Sequence, residues 1–373
     1  MLEKSLEVLN YIENYGFKAY IVGGFVRDYI LGISSSDVDV CTNATPKQIK
    51  DIFEDSYIPN EEYGAITVIY NNIRFEITTF RREYDYFDNR RPTRIEYTDS
   101  IIEDLQRRDF TINTICMNKK GEILDFLNNK DDIYNKVIRT VGNSKERFTE
   151  DALRILRAIR FATVLNFKLD DEVADSIKEL KGLLRNISYN RKKEELSKIF
   201  MSKNAIYGVN LIKSLELDKE LEIYNLDDIK ISSDLVGIWA SLDVSDKYPF
   251  VKVERELINK IKEAIVYDNL NNKVLYKYGP YVNSICAINK GLSNTDVIEK
   301  YNDLPIKTRS DILITSREIM DILNKSPGDY IKKIYLDLED KILNNLLENN
   351  KESIIGYIRG KYLGDINEKQ ETT

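Results

Sequence analysis

The hydrophobic pattern of this 373-residue chain changes at about residue 130, and this change limits the folds open to it. Before that point, short apolar runs alternate with helical patterns, and AITVIYNN followed by IRFEITTF indicates a β-hairpin. From residue 131 onward the apolar spacing is mostly helical, as in EDALRILRAIRFATVL. The pattern predicts an α+β head with a mixed sheet over 1–130, followed by all-α modules with joins near 200 and 300.

The chain contains no histidine, and this restricts its chemistry most strongly. Ser-His-Asp and Cys-His catalysis and His-ligated zinc or haem are excluded. Cys41, Cys116 and Cys286 are too widely spaced for a disulfide framework or a zinc site, which indicates a reducing compartment such as the cytoplasm. No apolar run approaches the roughly 18 residues that span a bilayer, so no membrane association is expected. The chemistry must therefore rest on carboxylates, lysine, arginine, hydroxyl groups or a bound metal.

Charge is distributed unevenly along the chain. The formal net charge is −7, which argues against non-specific coating of nucleic acid. Residues 139–198 nevertheless carry 14 Lys and Arg against 10 Asp and Glu. A local basic surface is therefore expected in the middle of the chain.

Two aspartates, Asp37 and Asp39, fall in the alternating run SSSDVDVCT, which predicts a strand. Residues two apart in a strand point to the same face, so both carboxylates would project together while Val38 enters the core. A divalent cation would offset their repulsion, and oxygen ligands suit Mg²⁺. Glu76 is a candidate third ligand if its strand lies alongside. A polar turn leading into an edge strand is the alternative interpretation.

A glycine pair, Gly23-Gly24, ends a predicted strand and precedes a helix that carries Arg27. Glycines there let backbone N–H groups approach a phosphate chain, and Arg27 adds charge-assisted hydrogen bonds. Such a turn alone is more often a packing feature. Together with the aspartate pair, however, it predicts a nucleotidyl-transfer site in which a nucleoside triphosphate lies over two metal ions.

The run GGFVRDYILGISSSDVDVCTNATP resembles the signature of the polymerase-β-type nucleotidyltransferases of the class II tRNA nucleotidyltransferase and bacterial poly(A) polymerase family, and this implies a polymerase-β-type head. RRDFTINTI (107–115), the segment from Asp131 through KVIRTVGN, and EDALRILRAIRFA (150–162) resemble its later motifs in the family order. The resemblance places Gly24 and Arg27 at triphosphate positions and Asp37 and Asp39 at metal positions. Arg108 would contact the nucleotide, and Asp109 its ribose or neighbouring side chains.

The segment EDALRILRAIR indicates how a base could be selected without a nucleic acid template. On the predicted helix, Asp151 and Arg154 are three residues apart and share a face, and Arg157 and Arg160 continue the row. A carboxylate selects an amino donor and a guanidinium selects acceptors, so the pair would admit C and A and reject U and G. The resemblance implies the same roles, with Arg157 and Arg160 holding phosphate or supporting the pair. An exposed salt-bridge face is the alternative.

Three further segments resemble the family less closely. TFRREYDYFDNRRPTRIEY resembles its flexible loop, and Pro92 limits this segment to loop or edge-strand structure. SYNRKKEELSKIF (188–200) resembles its helical neck motif, but Asn190 and Lys192 depart from the pattern. The region containing Pro327-Gly328 resembles the tail of Firmicute-type members.

The resemblance implies template-independent addition of CCA to the 3′ end of tRNA from CTP and ATP, with Mg²⁺ as cofactor and pyrophosphate as the leaving group. It divides the chain into a catalytic head (1–130), a base-recognition neck (131–200), a body (201–300) and a tail (301–373). Neck and tail would bind the acceptor and TΨC arms of tRNA by shape and phosphate. An A-adding enzyme or a poly(A) polymerase is the first alternative, although the acidic end GDINEKQETT favours the latter less. A non-catalytic RNA-binding paralogue is the second.

Overall fold

The computed structural model describes residues 1–35, 37–60, 64–87, 89 and 91–363. The chain folds into two compact units. The first comprises Met1–Leu226 and Val244–Pro249, and the second comprises Asp227–Asp243 and the chain from Phe250 onward. The acidic end, 364–373, lies outside the described residues. The finer division into head, neck, body and tail stays a prediction.

The first unit begins with a mixed sheet and continues into helices. The strands of the unit are β1 (Ala19–Val22), β2 (Asp39–Thr42), β3 (Ser56–Asn60), β4 (Ala65–Tyr70), β5 (Ile73–Thr79), β6 (Arg81–Phe87), β7 (Arg91–Tyr97), β8 (Cys116–Met117), β9 (Ile123–Leu124), β10 (Val137–Ile138) and β11 (Lys168–Leu169). Its helices are α1 (Leu2–Asn14), α2 (Gly24–Leu31), α3 (Pro46–Ile52), α4 (Ile101–Gln106), α5 (Lys130–Tyr134), α6 (Ser144–Glu150), α7 (Leu153–Leu165), α8 (Asp171–Leu180), α9 (Tyr189–Phe200), α10 (Ala205–Ser214) and α11 (Asp218–Leu221). The predicted fold class, an α+β head followed by helices, is confirmed.

The main sheet has the strand order β3-β4-β5-β2-β1-β8-β9. Strand β2 lies in its middle, antiparallel to β1 and parallel to β5. In this register Asp39 is opposite Val22 on one side and Glu76 on the other. The strand that carries Glu76 thus lies beside the strand that carries Asp39, as its candidacy as a third ligand requires. The predicted hairpin is also confirmed, since β4 and β5 pair in antiparallel fashion.

Two predicted details of the head need correction or completion. Strand β2 begins at Asp39, so Asp37 precedes the strand instead of lying within it. The alternation of exposure nevertheless holds, because Asp37 and Asp39 are exposed and Val38 is buried. The segment containing Pro92 forms a separate two-stranded ribbon, β6 with β7, in which Pro92 is opposite Tyr86. Both strands of such a ribbon are edge strands, so a proline is tolerated there.

The prediction of one helix running through EDALRILRAIR is wrong. Helix α6 ends at Glu150 and α7 starts at Leu153, so Asp151 lies in the connection. The Asp151 carboxylate accepts a hydrogen bond from the Leu153 backbone N–H at 3.1 Å. Aspartate competes well for free N–H groups at helix starts, and this capping favours a new helix over a continuous one.

The second unit is helical in its described part. Its helices are α12 (Leu235–Ser241), α13 (Lys252–Ala264), α14 (Asn272–Asn289), α15 (Thr295–Asn302), α16 (Ser316–Leu323), α17 (Tyr330–Leu343) and α18 (Lys351–Ile358). Pro327-Gly328 lies between α16 and α17, and the last three helices share a core that includes Ile319, Leu338 and Ile354. Among the described residues, no helix is long and apolar enough to cross a membrane.

Candidate active site

A cavity of about 400 Å³ opens where the carboxyl end of β1, the start of α2 and helix α7 meet. It brings together seven of the nine predicted site residues, namely Gly24, Arg27, Asp37, Asp39, Arg108, Arg157 and Arg160. The other two, Asp151 and Arg154, are not part of its lining. Residues more than 130 positions apart in the chain are thus gathered around one space.

The acidic side of the cavity is formed by Asp37 and Asp39. Partial loss of hydration raises the pKa of Asp39; Arg108 lowers it, and the charges of Asp37 and Glu76 raise it further, so the pKa lies above its ordinary value. The two carboxylates are therefore close enough to repel each other. Glu76 does not line the cavity and forms a salt bridge with Arg74 at 3.1 Å.

The donor set of this acidic side suits a divalent cation that is shared with a substrate. Within the described part of the chain, no group of three or more His, Cys, Asp or Glu side chains could hold a metal ion. Magnesium in enzymes that bind phosphates is commonly held by one or two carboxylates, with phosphate oxygens and water completing the shell. Asp37 and Asp39 fit that pattern, and their mutual repulsion is what a cation would relieve.

The glycine turn lies directly against the acidic pair. Gly23 has a φ of +81°, which strongly favours glycine, and a methyl group there would lie 3.4 Å from Asp39 Oδ2. Arg27, one turn into α2, is buried. It donates from Nη2 to Asp28 Oδ1 at 2.7 Å and from Nη1 to Asn113 Oδ1 at 2.8 Å. The turn thus places backbone without side chains and the fixed Arg27 guanidinium next to the carboxylates of Asp37 and Asp39.

Arg108 is held in place by a buried carboxylate. Asp104, on α4, accepts from Arg108 Nη2 at 3.2 Å and from Arg107 Nη2 at 2.7 Å. Burial alone would raise the pKa of Asp104, but the two guanidinium charges outweigh it and keep the pKa below its ordinary value. Arg107 also donates to Glu83 of the β6–β7 ribbon at 3.1 Å. The ribbon is therefore connected to the cavity through charged side chains.

Helix α7 forms the opposite wall of the cavity. Arg157 Nε donates to Asp109 Oδ2 at 2.7 Å, and Arg160 Nε lies 2.7 Å from Glu195 Oε2 of α9. Burial would raise the pKa of Asp109, but Arg157 outweighs it and lowers the pKa to about 2. Phe161 lies within cation–π distance of both arginines, at 5.3 Å from Arg157 and 4.4 Å from Arg160. Asp109 contacts neighbouring side chains, one of the two alternatives predicted for it.

Asp151 and Arg154 lie next to the cavity, and both are bonded to protein groups. Arg191 Nη2 donates to Asp151 Oδ2 at 3.1 Å. Arg154 is buried, donates to Glu150 and lies 5.8 Å from the Tyr86 ring. The two residues are connected to the lining electrostatically, since Asp151 raises the pKa of Arg157 and Arg154 lowers that of Asp109. Their proposed role in base selection stays a prediction.

Three residues of the site were missed by sequence reasoning: Asp104, Asn113 and Phe161. The signal for Asp104 was its spacing of three and four residues from Arg107 and Arg108. Asn113 lies within RRDFTINTI, where no local pattern distinguishes it, and Phe161 is indistinguishable from a core residue of an amphipathic helix. Tertiary contacts alone reveal these two.

Family comparisons agree with this geometry. Residues 19–139 match the family described as the poly A polymerase head domain. Residues 166–221 match the RNA- and SrmB-binding site of polymerase A, and residues 283–358 match tRNA nucleotidyltransferase domain 2. The fold and the site therefore define a nucleotidyltransferase whose head is of the poly A polymerase type.

Similar proteins extend over almost the whole chain. A CCA-adding enzyme of Staphylococcus epidermidis is 33% identical over 96% of this chain and 98% of its own length. The CCA-adding enzyme of Bacillus subtilis is 33% identical over 95% and 97%. The Bacillus stearothermophilus CCA-adding enzyme, solved in complex with CTP, has a TM-score of 0.84 at 25% identity and covers 100% of this chain and 98% of its own. The chain belongs to the CCA-adding enzyme family.

Proposed function

We propose that this chain adds CCA to the 3′ end of tRNA, taking CMP units from CTP and the terminal AMP from ATP. In each step the tRNA 3′-hydroxyl oxygen bonds to the α-phosphorus of the nucleotide, the bond to the β-phosphate oxygen breaks, the hydroxyl proton is lost and pyrophosphate leaves. The observation that carries the proposal is one cavity that gathers Asp37, Asp39, Arg27 and Arg108. The alternatives, an A-adding enzyme and a poly(A) polymerase, are not favoured, because the similar proteins from Staphylococcus epidermidis and Bacillus subtilis are CCA-adding enzymes.

Asp37 and Asp39 would hold Mg²⁺ in this reaction. The metal supplies Lewis-acid stabilisation of phosphate charge and lowers the pKa of a bound hydroxyl. The two carboxylates fit it because both face the cavity and no described salt bridge neutralises either of them. Glu76, whose strand runs beside β2, contributes negative potential from outside the lining.

The remaining groups of the cavity bind and orient the triphosphate. Gly23 and Gly24 present backbone without side chains at the start of α2, where the helix favours negative charge. Arg27 and Arg108 both line this cavity with their guanidinium groups fixed by neighbouring carboxylates. Each is fixed by a carboxylate partner, so little side-chain entropy is lost when phosphate binds.

We assign base selection to Asp151 and Arg154, with Arg157 and Arg160 supporting them from the next turns of α7. A carboxylate accepts from the amino group of C or A, and a guanidinium donates to the adjacent ring nitrogen or carbonyl. U and G would leave mismatched polar groups, and such mismatches discriminate strongly. For this role Asp151 must share or exchange its Arg191 contact, and Arg154 must do the same with Glu150.

The proposal includes the division of labour suggested by the sequence: a catalytic head, a base-recognition neck, and a body and tail that bind the acceptor and TΨC arms of tRNA. The basic residues of 139–198 support RNA binding near the cavity. Cys41, Cys116 and Cys286 are buried and unpaired, which supports a cytoplasmic site of action.

The test is incorporation of labelled CTP and ATP, supplied separately and together, into tRNAs that end before C74, before C75 or before A76. CCA addition predicts CMP on the first two substrates, AMP on the third, and the complete trinucleotide when both are supplied. Incorporation of AMP alone would favour an A-adding enzyme, and long A tails would favour a poly(A) polymerase. No incorporation on any substrate would contradict all three activities.

A further inference from the structure

Asn113 occupies a central place in the cavity that none of the roles above assigns. It ends a short 3₁₀ helix, Thr111–Asn113, is buried and lines the cavity. Its side chain contacts two charged groups that come from different parts of the chain. The inference drawn here rests on the proposed function, because it concerns how that site binds its nucleotide.

The amide of Asn113 bridges a cation and an anion. Its Oδ1 accepts from Arg27 Nη1 at 2.8 Å, and its Nδ2 donates to Asp109 Oδ1 at 3.3 Å. A guanidinium can only donate and a carboxylate can only accept, so these neighbours fix the orientation of the amide. Asparagine is the small side chain that supplies both functions at one position.

On the Arg27 side, the bridge fixes the guanidinium. Of its five N–H groups, Nε–H and one Nη2–H point to Asp28 and one Nη1–H points to Asn113. The partners lie on two sides of the planar group and therefore define its rotation. Two N–H groups are left by these bonds, one on each terminal nitrogen, and are available to a phosphate.

On the Asp109 side, the bridge leads to the neck. Asp109 Oδ1 accepts from Asn113 and from the Phe110 backbone N–H at 2.9 Å, while Oδ2 accepts from Arg157 of α7. The carboxylate thus has a partner for each oxygen. An unbroken path of hydrogen bonds connects Arg27 in the head with Arg157 in α7.

We propose that Asn113 is a positioning residue for nucleotide binding: it holds Arg27 in the orientation that binds the triphosphate and ties that orientation to the Asp109–Arg157 pair. Loss of the amide leaves the Arg27 guanidinium held by Asp28 alone, so its orientation is less restricted. The triphosphate then pays the entropy of ordering the guanidinium, and nucleotide affinity falls without loss of any phosphate ligand.

The test is a double-mutant cycle on CTP affinity. Labelled CTP is bound in the presence of Mg²⁺ and without tRNA to four proteins: the wild type, Asn113→Ala, Arg27→Ala and the double variant. Asn135→Ala, an exposed asparagine after α5, is the matched control. The same cycle is run with Asn113→Ser, which leaves a hydroxyl group and room for water, so that the test does not depend on the folding of one variant. Unfolding temperatures are measured for each protein.

Asn113→Ala is expected to weaken CTP binding by about tenfold, since it removes a hydrogen bond to a charged group. The double variant is expected to bind CTP within about twofold of Arg27→Ala, because a residue that acts through Arg27 has no effect without it. Unchanged CTP affinity in Asn113→Ala would overturn the inference. So would a double variant whose loss is the product of the two single losses.

The binding cycle, combined with the incorporation assay on truncated tRNAs, distinguishes this inference from the proposed function. A wild-type chain that binds no CTP and transfers no nucleotide would overturn the proposed function. A wild-type chain that binds CTP and completes CCA, with an Asn113→Ala variant equal to it, would overturn only the role of Asn113.

Discussion

The carboxylates proposed to act in the head and in the neck differ in whether they have a salt-bridge partner. In the head, Asp37 and Asp39 face the cavity with no described salt bridge, and their mutual repulsion contributes to the raised pKa of Asp39. In the neck, Asp151 is bonded to Arg191, and Arg154 to Glu150. Carboxylates are therefore left open at the first site and are paired at the second, where the guanidinium is paired as well.

This difference indicates two kinds of binding. Two carboxylates without salt-bridge partners repel each other, and a bound cation would relieve that repulsion. The proposed metal and phosphate site in the head is therefore preorganised. In the proposed base selection, Asp151 and Arg154 must each give up or share a protein partner, and this exchange would cost part of the binding energy. Such an exchange suits discrimination, because only the correct base replaces the lost hydrogen bonds.

The largest effect is expected in the head. Asp39→Ala removes half of the open carboxylate pair and should lower the rate of nucleotide transfer by at least about 10³-fold, with tRNA affinity nearly unchanged. Single-turnover transfer and filter binding of tRNA measure the two quantities. Asp51→Ala, an exposed aspartate of α3, is the control and should keep full activity. Retained turnover in Asp39→Ala would refute the metal assignment.

The neck should respond in selectivity instead of rate. Asp151→Ala should lower the ratio of kcat/KM for CTP over UTP by about 10²-fold, while the KM for CTP changes little, because the phosphates are held in the head. Asp175→Ala, an exposed aspartate of α8, serves as control. An unchanged CTP-to-UTP ratio together with a lower unfolding temperature would show that the Asp151–Arg191 pair is only structural.

The Asp109–Arg157 ion pair, which connects the head to α7, should affect the free energy of unfolding at low pH. The folded-state pKa of Asp109 is lowered to about 2, below the unfolded value near 3.9, so its contribution is complete above about pH 4 and is lost as pH falls toward 2. The difference in unfolding free energy between wild type and Asp109→Asn should therefore shrink by about 2 kcal/mol over that interval. Chemical denaturation at pH 5, 4, 3 and 2 measures it. A constant difference would contradict the pairing with Arg157.

The smallest effect is expected from alanine substitutions at two glycines, which distinguish backbone strain from a contact with the cavity. Gly23→Ala and Gly16→Ala both place a side chain at positive φ, +81° and +87°, and each should cost about 1 kcal/mol of stability. Only at Gly23 does the added methyl group meet Asp39, at 3.4 Å, while at Gly16 it meets open space. Gly23→Ala should thus lose transfer activity about tenfold and Gly16→Ala should keep it. Equal activities of the Gly23→Ala and Gly16→Ala variants would show that the Gly23-Gly24 turn is not part of the site.

Much of the head was predictable because its signals are local. Pro46 is the first residue of α3, a position where proline is favoured, and Gly32 ends α2 with a φ of +68°. The exposure of Asp37 and Asp39 around a buried Val38 follows from strand alternation, although the strand itself starts at Asp39. Periodicity and turn chemistry act over a few residues, and the sequence displays them directly.

What could not be predicted depends on contacts between distant segments. The break at Asp151 arises from one capping hydrogen bond within a continuous apolar pattern, which periodicity does not detect. The roles of Asn113 and Phe161 exist only because α2, the 3₁₀ helix and α7 converge on one cavity. Residues 201–300 contain no recognisable sequence motif, and their helices are divided between the two compact units at Leu226.

The central claim is tested most directly by a crystal structure of the chain grown with CTP and Mn²⁺, in which anomalous scattering locates the metal. We expect manganese bonded to carboxylate oxygens of both Asp37 and Asp39, with the triphosphate against Gly24 and Arg27 and the cytosine directed toward Asp151 and Arg154. Manganese bound elsewhere, or a triphosphate outside this cavity, would contradict it.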